Sequence, residues 1–481
     1  MPNLTIRQGD RLLQAQFSGT PILAEVLAGM GLAMPHPCGG RGTCFKCAVE
    51  AEGAVSEPNE AEARAGARLS CQMRLVGDCT VALPRQRAME IETSSGAIRR
   101  GAAMPGRRGA AVDIGTTTLA LRAYDLASGA PLHGAGAPNP QASVAADVMG
   151  RIGAALRGEG GRLQRDILGA LEPLIGDGIE TLVLTGNTTM LYLLTGRNPA
   201  RLSAAPFEAD HLFDEWIEVL GRRAYLPPCM NAFVGADITC AVLASGLCAR
   251  KEISLLCDIG TNGELALWKE NVLYVTSTAA GPAFEGAGIS CGCGSVRGAI
   301  DRVWVENGRL GAHSIGDAPA VGLCGSGLID AIAALLQLAE IDETGATEEA
   351  SFPLSDGVAL LPRDVRAVQL AKAAIAAGIL TLLESADVRL DEVRTLHIAG
   401  GFGSHLNVGS AADIGLIPRE LASRARVIGN AALKGAEGML LDQALLEEAR
   451  WIAGCSRHVN LGGNPRFNEQ YMEQMLFPEG E

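Results

Sequence analysis

The sequence predicts a multidomain protein in which an α+β module at the N-terminus precedes a larger, two-lobed α/β module. The chain of 481 residues is too long for one hydrophobic core and indicates two to four structural units. A cluster of cysteines between short strand patterns marks the first module, and a strand–turn–strand motif that occurs twice marks the second. With 48% hydrophobic and 20% charged residues, the composition is that of a globular protein.

Charge and hydropathy argue against two classes of partner. The net charge of −14 disfavours a surface that binds nucleic acid, since such surfaces carry an excess of Lys and Arg. The N-terminal sequence lacks the basic segment and apolar core of a signal peptide. The apolar segment Val365–Glu384 contains Arg366 and Lys372, and we interpret it as a packed helix. These features predict a cytoplasmic protein that binds neither nucleic acid nor membrane.

Residues 1–85 have the pattern of a compact α+β domain. Alternating apolar residues predict two strands, at Leu4–Ile6 and Leu13–Phe17, around a Gly-Asp turn. An amphipathic helix follows Pro21, and a strand pattern runs from Leu69 to Leu83. This order of strands, a helix, a cysteine-bearing loop and further strands is that of a β-grasp ferredoxin.

The cysteine loop has the spacing C-x5-C-x2-C, and a fourth cysteine follows 24 positions later. A [2Fe–2S] cluster takes four thiolates, and backbone N–H groups around it tune its potential. We predict that the cluster ligands are Cys38, Cys44, Cys47 and Cys71. The backbone freedom to wrap the cluster is supplied by Gly39, Gly40 and Gly42. A four-cysteine zinc site is the alternative, but such sites usually pair two C-x2-C motifs and this loop has one.

Residues 86–108 have no apolar periodicity and contain small residues and four arginines. This composition predicts a flexible linker, which would let the cluster domain visit two partners in turn. A solvated spacer without that role fits the composition equally well.

A strand–turn–strand motif occurs twice in the rest of the chain, at Gly109–Leu121 and Ser254–Leu267. Both copies contain D-I-G-T between two apolar strands, and we interpret them as phosphate-binding hairpins. Glycine lets the backbone approach phosphate oxygens, hydroxyl and amide groups add donors, and the aspartate can hold Mg²⁺ through its waters. The predicted phosphate- and Mg²⁺-binding residues are Asp113, Gly115, Thr116, Thr117, Asp258, Gly260, Thr261 and Asn262. The two copies divide the module into lobe I (109–253) and lobe II (254–481).

A third glycine-rich segment, Leu396–Leu406, reads L-H-I-A-G-G-F-G-S-H-L. A strand that runs into glycines suits a pocket for the flat rings of adenosine, because backbone without side chains leaves room for them. The residues predicted to line this pocket are Gly400, Gly401 and Gly403.

Two phosphate hairpins followed by a G-G-x-G adenosine motif resemble the ATPase superfamily of acetate and sugar kinases, heat-shock chaperones and actin. With the ferredoxin loop in front, nearly the whole chain resembles the reductive activators of corrinoid proteins. Similar segments are V-L-T-G-N-T-T-M (183–190), V-G-A-D-I (234–238) and A-A-G-P-A-F-E-G-A (279–287). The resemblance implies two ribonuclease H-like lobes, a C-terminal return to lobe I, and ATP and Mg²⁺ as ligands. It also implies that this chain lacks an extra domain that known activators carry between linker and ATPase.

Two acidic residues are candidates for the catalytic group that positions the attacking water. The segment V-G-A-D-I resembles the helix start before the second phosphate hairpin of some sugar kinases, and by that analogy Asp237 is one candidate. Glu264, just after the second hairpin turn, is the other. The non-catalytic alternatives are a helix N-cap for Asp237 and a solvent-facing strand position for Glu264.

The family resemblance also implies the function. A reductive activator passes one electron from its [2Fe–2S] cluster to the inactive Co(II) form of a corrinoid protein or cobalamin-dependent methyltransferase, which restores Co(I). The electron comes from an external reductase or ferredoxin. A homodimer is expected by analogy with the superfamily.

Three other functions share parts of this pattern. An activator of an iron–sulfur dehydratase has the ATPase fold with a four-iron cluster at a dimer interface. The close pair Cys291 and Cys293 is the local feature that favours this alternative. A redox-sensing, chaperone-like ATPase would hydrolyse ATP in response to the cluster without delivering an electron. A small-molecule kinase is disfavoured because its activity does not explain the attached cluster.

Overall fold

The computed structural model describes residues 1–8, 11–30, 32, 34, 40, 42, 47–83, 101–401 and 406–479. Three main sheets organise these residues, one in the N-terminal module and one in each lobe of the larger module. Two small sheets, of three and two strands, lie in lobe II. The predicted α+β and α/β architecture is confirmed.

The N-terminal module is a five-stranded β-grasp sheet. Its elements are β1 (Asn3–Gln8), β2 (Arg11–Gln16), α1 (Leu23–Gly29), β3 (Ala48–Val55), α2 (Glu60–Ala65), β4 (Arg68–Leu69) and β5 (Leu75–Leu83). The strand order is β2-β1-β5-β3-β4, and β1 is parallel to β5 and antiparallel to β2. Leu4, Leu27 and Val81, from β1, α1 and β5, have no exposed surface and form part of the core.

One predicted strand of this module is divided in the structure. The pattern from Leu69 to Leu83 is not a single strand, because a turn that carries Cys71 separates β4 from β5. The register Gln8↔Arg11 leaves two residues for the β1–β2 turn, as the sequence predicts, although those two residues lie outside the described part of the chain.

The predicted flexible linker, 86–108, is corrected at its C-terminal end. The linker up to residue 100 lies outside the described residues, but from Gly101 onward the chain is bound to the larger module. The N–H group of Met104 donates to the carbonyl of Leu440 at 2.9 Å, and Met104 is buried. The last eight residues of the predicted linker are therefore a fixed part of the larger module.

Lobe I contains a six-stranded sheet with helices packed against it. Its elements are β6 (Arg108–Ile114), β7 (Thr118–Asp125), β8 (Pro131–Pro138), α3 (Val148–Ala154), α4 (Gly160–Ile175), β9 (Thr181–Gly186), α5 (Thr188–Thr195), β10 (Glu215–Val219), β11 (Arg222–Leu226) and α6 (Ala236–Ser245). The strand order is β10-β11-β9-β6-β7-β8. Strands β6, β7 and β8 form an antiparallel meander, and β9 is parallel to β6. Because β6 and β9 are buried on both faces, their sequences are nearly continuous apolar runs.

Lobe II has the same topology with insertions. Its first half comprises β12 (Ser254–Ile259), β13 (Gly263–Lys269), β14 (Val272–Thr278), β15 (Ala299–Glu306), β16 (Arg309–Ser314), β17 (Gly322–Leu323), α7 (Gly325–Gln337), β18 (Phe352–Ser355) and β19 (Val358–Leu360). Its second half comprises α8 (Pro362–Ser385), β20 (Thr395–Gly400), α9 (Val408–Asp413), α10 (Arg419–Ala422), β21 (Ala425–Gly429), α11 (Ala431–Leu441), α12 (Ala444–Gly454), β22 (Ser456–His458) and α13 (Pro465–Glu473). The sheet order is β21-β20-β12-β13-β14-β22, with β12–β14 as the meander and β20 parallel to β12. The predicted duplication is confirmed.

Two helices lie between the lobe sheets and join them. Helices α6 and α11 pack against each other, and the core around them includes Val183 of β9 and Leu256 of β12. Helix α11 also contacts β6 and β9, as a C-terminal return to lobe I requires. The chain then leaves lobe I again, since β22 pairs with β14 and α13 packs on α8.

Helix α8 is long and apolar enough to cross a membrane by length and composition. Most of it is buried inside the molecule, where it packs against β13 and β14. Lys372 in its middle is fully buried and donates to the carbonyl of Leu476. This agrees with the prediction of a packed helix.

Candidate functional site

The two predicted phosphate hairpins face each other across one carboxylate. The β6–β7 turn holds Thr117 and the β12–β13 turn holds Thr261, with their hydroxyl oxygens 3.2 Å apart. Both hydroxyls donate to the same atom, Oε2 of Glu285, at 2.6 and 2.7 Å. The structure therefore brings the two copies of the motif together at one point between the lobes.

Glu285 was not identified by sequence reasoning, although a signal for it exists. It lies in the segment A-A-G-P-A-F-E-G-A (279–287), one of three whose likeness to a known family was noted above. Its carboxylate is an anion that accepts two hydroxyl hydrogen bonds, which is also what a phosphate oxygen of ATP offers. The hairpins are thus shaped to bind an anion, and Glu285 occupies that position in the structure.

The glycines of the two turns have different roles. The N–H group of Gly115 donates to the carbonyl of Thr118 at 3.0 Å, and a Cβ atom on Gly115 would lie 2.7 Å from that oxygen. The first turn therefore excludes a side chain by its own geometry. A Cβ atom on Gly260 would meet no atom closer than 3.5 Å, which leaves room for a phosphate oxygen on this side of the cleft.

Thr116 is built into the scaffold of lobe I. It is buried, its hydroxyl accepts from Nδ2 of Asn187 at 3.1 Å, and its carbonyl accepts from the guanidinium of Arg151 at 2.5 Å. Arg151 is fully buried, and burial lowers its pKa to about 10, so it stays charged at neutral pH. No motif in the sequence singled out this cation, which lies beneath the first hairpin.

The cleft concentrates acidic side chains. These are Asp113, Asp237, Asp258, Glu264 and Glu285. Burial raises the pKa of Asp113 to about 6, and burial with the charge of Asp113 raises the pKa of Asp258 to about 7. Among the residues that the structure describes, no group of side chains is arranged to coordinate a metal ion directly. Such a cleft fits a hydrated Mg²⁺ ion, which keeps much of its water and neutralises carboxylates through it.

Asp237 and Glu264 both face this cleft, and both non-catalytic alternatives are wrong. The N-cap of α6 is Gly235, so Asp237 lies within the first turn, where its Oδ1 accepts from the N–H of Ile238 at 2.9 Å. Glu264 is 7% exposed and pairs directly opposite Asp258, which places both side chains on one face of the sheet. Burial and neighbouring carboxylates raise the pKa values of Asp237 and Glu264.

Asn430 connects the start of α11 to the first hairpin. As the N-cap residue, its Oδ1 accepts from the N–H of Leu433 at 2.8 Å. Its Nδ2 donates to Oδ2 of Asp113 at 2.9 Å. The helix that joins the lobes is therefore in direct contact with a predicted Mg²⁺-binding aspartate, an arrangement that the sequence alone did not indicate.

The predicted adenosine segment lies at the end of β20, next to the second hairpin. Gly400 has a φ of 126°, and a Cβ atom on it would lie 2.2 Å from the carbonyl oxygen of Ile259. This glycine is therefore required by the close approach of β12. A Cβ atom on Gly401 would meet nothing within 4 Å, as a pocket for flat rings requires. Gly403 lies outside the described residues.

Two of the four predicted cluster cysteines are described, and both fit a thiolate site. Cys47 and Cys71 are buried at the edge of the β-grasp core, and the N–H of Ser70 donates to the carbonyl of Cys47 at 2.9 Å. Gln72 donates through Nε2 to the carbonyl of Gly40 at 2.5 Å and approaches Sγ of Cys71 at 3.8 Å. A donor beside a ligand sulfur is typical of an iron–sulfur site. The other two predicted ligands, Cys38 and Cys44, lie outside the described residues, as does Gly39.

The glycines of the cluster loop that are described have the predicted conformation. Gly40 and Gly42 have φ values of 78° and 68°, which residues with side chains rarely adopt. A Cβ atom on Gly42 would also lie 2.8 Å from that of Ala61. The loop therefore needs glycine at both positions.

The fold and these sites define an ATPase of the actin and sugar-kinase type that is joined to a β-grasp iron–sulfur domain. Family models match along nearly the whole chain: the 2Fe-2S iron-sulfur cluster binding domain at 9–76, the RACo middle region at 108–250, and the C-terminal ASKHA domain of RACo at 252–481. The chain belongs to the RACo family. The middle-region match coincides with lobe I, so the expectation that a domain is missing before the ATPase is wrong.

Named relatives agree with this assignment. The corrinoid activation enzyme RamQ of Eubacterium limosum is 33% identical over 421 residues, which cover 77% of this chain and 70% of RamQ. The [Co(II) methylated amine-specific corrinoid protein] reductase of Methanosarcina barkeri is 26% identical over 341 residues, which cover 62% of this chain and 63% of that protein. The structure is also similar to a solved structure of a reductive activator for corrinoid, iron-sulfur protein, with a TM-score of 0.75 and 26% sequence identity. The match covers 100% of this chain and 99% of the other chain.

Proposed function

We propose that this chain is an ATP-dependent reductive activator that returns the Co(II) form of a corrinoid protein to Co(I). The observation that supports this best is the meeting of Thr117, Thr261 and Glu285 between the lobes of a chain that also contains an iron–sulfur domain. A ferredoxin alone needs no nucleotide, because its electron runs downhill. Each ~59 mV of uphill one-electron transfer lowers the equilibrium constant about tenfold. Reduction of low-potential Co(II) therefore benefits from coupling to ATP hydrolysis.

In this proposal the two hairpins bind the phosphate chain of ATP. The hydroxyls of Thr117 and Thr261 donate to phosphate oxygens in place of Glu285, and Asp113 and Asp258 hold Mg²⁺ through its waters. Gly260, whose Cβ position is open, gives the backbone access to the phosphate. The adenosine ring lies against the open backbone at Gly401.

Asp237 is the better candidate for the group that positions the attacking water. The charges of Asp113 and Asp258 both act on its carboxylate, so it lies near the aspartates of both hairpins. Glu264, by contrast, lies on β13 directly opposite Asp258 of the same hairpin. A carboxylate near both phosphate-binding turns is placed to orient a water in line with the terminal phosphate.

Hydrolysis can be coupled to electron transfer through the contacts between the lobes. Two sets of contacts depend on the relative position of the lobes. Glu285 accepts from the hydroxyls of both hairpins, and Asn430 donates to Asp113. A nucleotide that binds one arrangement of the lobes more tightly shifts the protein toward it, and partner affinity changes only if that arrangement contacts the partner differently.

The N-terminal module supplies the electron path. When bound by Cys38, Cys44, Cys47 and Cys71, a [2Fe–2S] cluster supplies one-electron transfer. The chain's own contribution is to bury the ligand sulfurs and to place the Gln72 amide beside Cys71. We propose an external reductase or ferredoxin as donor, a corrinoid protein or cobalamin-dependent methyltransferase as acceptor, a homodimer as the assembly and the cytoplasm as the location.

An anaerobic reduction assay tests this function. The holoprotein, a chemical reductant, MgATP and a Co(II) corrinoid protein are mixed, and loss of the Co(II) absorbance is followed. We expect Co(I) to accumulate only with MgATP. Cys71→Ser should abolish Co(I) formation but keep ATP hydrolysis, whereas Thr117→Val should keep the cluster spectrum but lose ATP-dependent reduction. Equal rates with and without MgATP would contradict the proposal.

The same preparation separates the alternative functions. Iron in excess of one [2Fe–2S] cluster per chain, with ATP-dependent reduction of an iron–sulfur dehydratase, would favour a dehydratase activator. ATP hydrolysis that changes with the redox state of the cluster, without any reduced acceptor, would favour a redox-sensing ATPase.

A further inference from the structure

The carbonyl groups of the first phosphate turn are all bound by lobe I. The carbonyl of Gly115 accepts from Nδ2 of Asn139 at 2.8 Å, and the N–H of Asn139 donates to the carbonyl of Thr117 at 2.8 Å. Between them, the carbonyl of Thr116 accepts from the guanidinium of Arg151 at 2.5 Å. A trans peptide group directs its N–H away from its carbonyl, so the N–H groups of Thr116 and Thr117 face the cleft. Neither has an acceptor among the described residues, so both are available to a phosphate oxygen.

Arg151 lies beneath this turn as a buried cation whose acceptors are all neutral. It has no exposed surface. It donates to the carbonyl of Ala145 at 3.0 Å, to Oε1 of Gln141 at 3.3 Å and to the sulfur of Met190 at 3.2 Å. None of its hydrogen bonds to described residues ends on a carboxylate. Because burial of a charge without a counter-ion is costly and neutral donors could serve the same acceptors, the charge itself indicates a function.

An anion lies on the opposite side of the turn. The hydroxyl of Thr117 donates to Glu285 at 2.6 Å, and the charge of Glu285 acts on Arg151. The turn is therefore located between a cation fixed in lobe I and an anion at the position proposed for phosphate. Asp147, the other carboxylate that acts on Arg151, is exposed, so solvent screens its charge. A nucleotide that replaces Glu285 brings several negative charges to the same place.

We propose that Arg151 is a positioning residue for the phosphate chain of the bound nucleotide. It holds the turn with its N–H groups toward the cleft, and its positive charge acts on the phosphates from beneath the turn. In a site of low effective dielectric, such a charge is weakened far less than in water. This role rests on the proposed ATP-dependent function, and it makes the first hairpin selective for a ligand with several negative charges.

Nucleotide binding by Arg151→Gln tests the effect of the charge. Dissociation constants for MgATP and for adenosine are measured on the anaerobic holoprotein, without a corrinoid partner. We expect the dissociation constant for MgATP to rise at least about tenfold, and that for adenosine, which has no phosphate, to stay within about twofold of the parent. Arg151→Lys, which keeps the charge but loses the planar fork, should bind MgATP several-fold more tightly than Arg151→Gln.

A second pair of variants changes the charge balance without removing Arg151. Gln141→Glu places a carboxylate at the atom that already accepts from Arg151, so the cation gains a counter-ion within lobe I. It should weaken MgATP binding more than Gln141→Met does, although both lose the hydrogen bond to the carbonyl of Leu163. A purely structural role predicts the reverse order, since Gln141→Met also removes an acceptor of Arg151.

Arg222→Gln is the matched control. The guanidinium of Arg222 also donates to two carbonyls of lobe I, those of Leu220 and Gly176, at 2.9 Å each. It lies at the end of the sheet where β9 begins, whereas the first hairpin lies where β9 ends. The control should therefore keep the dissociation constant for MgATP within about twofold of the parent.

The possible results separate this role from the proposed function. If the parent fails to bind MgATP, the proposed function is wrong and the role of Arg151 falls with it. If the parent binds MgATP, and Arg151→Gln and Gln141→Glu bind it equally tightly, the role of Arg151 alone is overturned. If Arg151→Gln loses MgATP and adenosine binding together, its fold is damaged and the two Gln141 variants decide. Equal or weaker MgATP binding by Gln141→Met than by Gln141→Glu then overturns the role.

Discussion

Asp258→Asn should stabilise the nucleotide-free protein at pH 8 while it impairs ATP hydrolysis. Burial and the charges of Asp113 and Glu285 raise the pKa of Asp258 from 3.8 to about 7. A group whose pKa is raised on folding binds more protons in the folded state, so its contribution to stability is present below pH 4 and lost as pH rises through 7. At pH 8 the ionised carboxylate therefore costs about 4 kcal/mol, at 1.36 kcal/mol per pKa unit.

The expected gain in the free energy of unfolding on substitution is smaller than this cost. Because the side chain of Asp258 is only partly buried, water screens part of the repulsion, and we expect about 2 kcal/mol of stabilisation by the neutral amide. The difference between variant and parent should grow from about a quarter of its full value at pH 4.5 to its full value at pH 8. Asp356→Asn, in the exposed turn between β18 and β19, is the matched control and should change stability by less than about 0.5 kcal/mol.

Urea unfolding without nucleotide, in the presence of a chelator, measures this effect at several pH values. Circular dichroism follows the unfolding of the two lobes, and the rate of ATP hydrolysis is measured on the same preparations. The reasoning is refuted if Asp258→Asn is less stable than the parent at pH 8, or if the stability difference does not depend on pH. A stable variant with full ATP hydrolysis would refute the proposed role of Asp258 in Mg²⁺ binding.

Three further predictions concern Glu285, Lys372 and the glycine pair at the end of β20. Glu285→Gln should lower the KM for ATP about tenfold and leave the cluster spectrum unchanged, because a neutral amide accepts more weakly from the two threonine hydroxyls than a carboxylate and competes less with phosphate for them. An unchanged or higher KM would contradict the proposal that phosphate displaces Glu285. Burial lowers the pKa of Lys372 to about 8, below its unfolded value of 10.5, so the parent should gain stability between pH 8 and 10.5. Urea unfolding of Lys372→Met should lack this rise, and an equal rise would contradict the assignment. Gly400→Ala should lower stability by about 2 kcal/mol or more, since its Cβ would meet a carbonyl at 2.2 Å, whereas Gly401→Ala should be near neutral.

Much of the fold could be predicted because its signals are local. The alternation of apolar residues specified the β1–β2 hairpin, and the D-I-G-T copies specified the two meanders. The linker prediction failed at residues 101–108 because composition does not show tertiary contacts. The small residues there pack against the end of α11, as the hydrogen bond between Met104 and Leu440 shows.

The sequence by itself determined which chemical groups this protein uses. Spacing of the cysteines predicted an iron–sulfur loop, and the repeated turn predicted phosphate binding, because both depend on residues that are neighbours along the chain. It could not determine what lies between the turns, since Thr117 and Glu285 are far apart in sequence and meet only when the two lobes fold against each other. The positions of Arg151 and Asn430 could not be predicted for the same reason. Long-range contacts of single polar residues have no periodicity, so only the tertiary structure decided them.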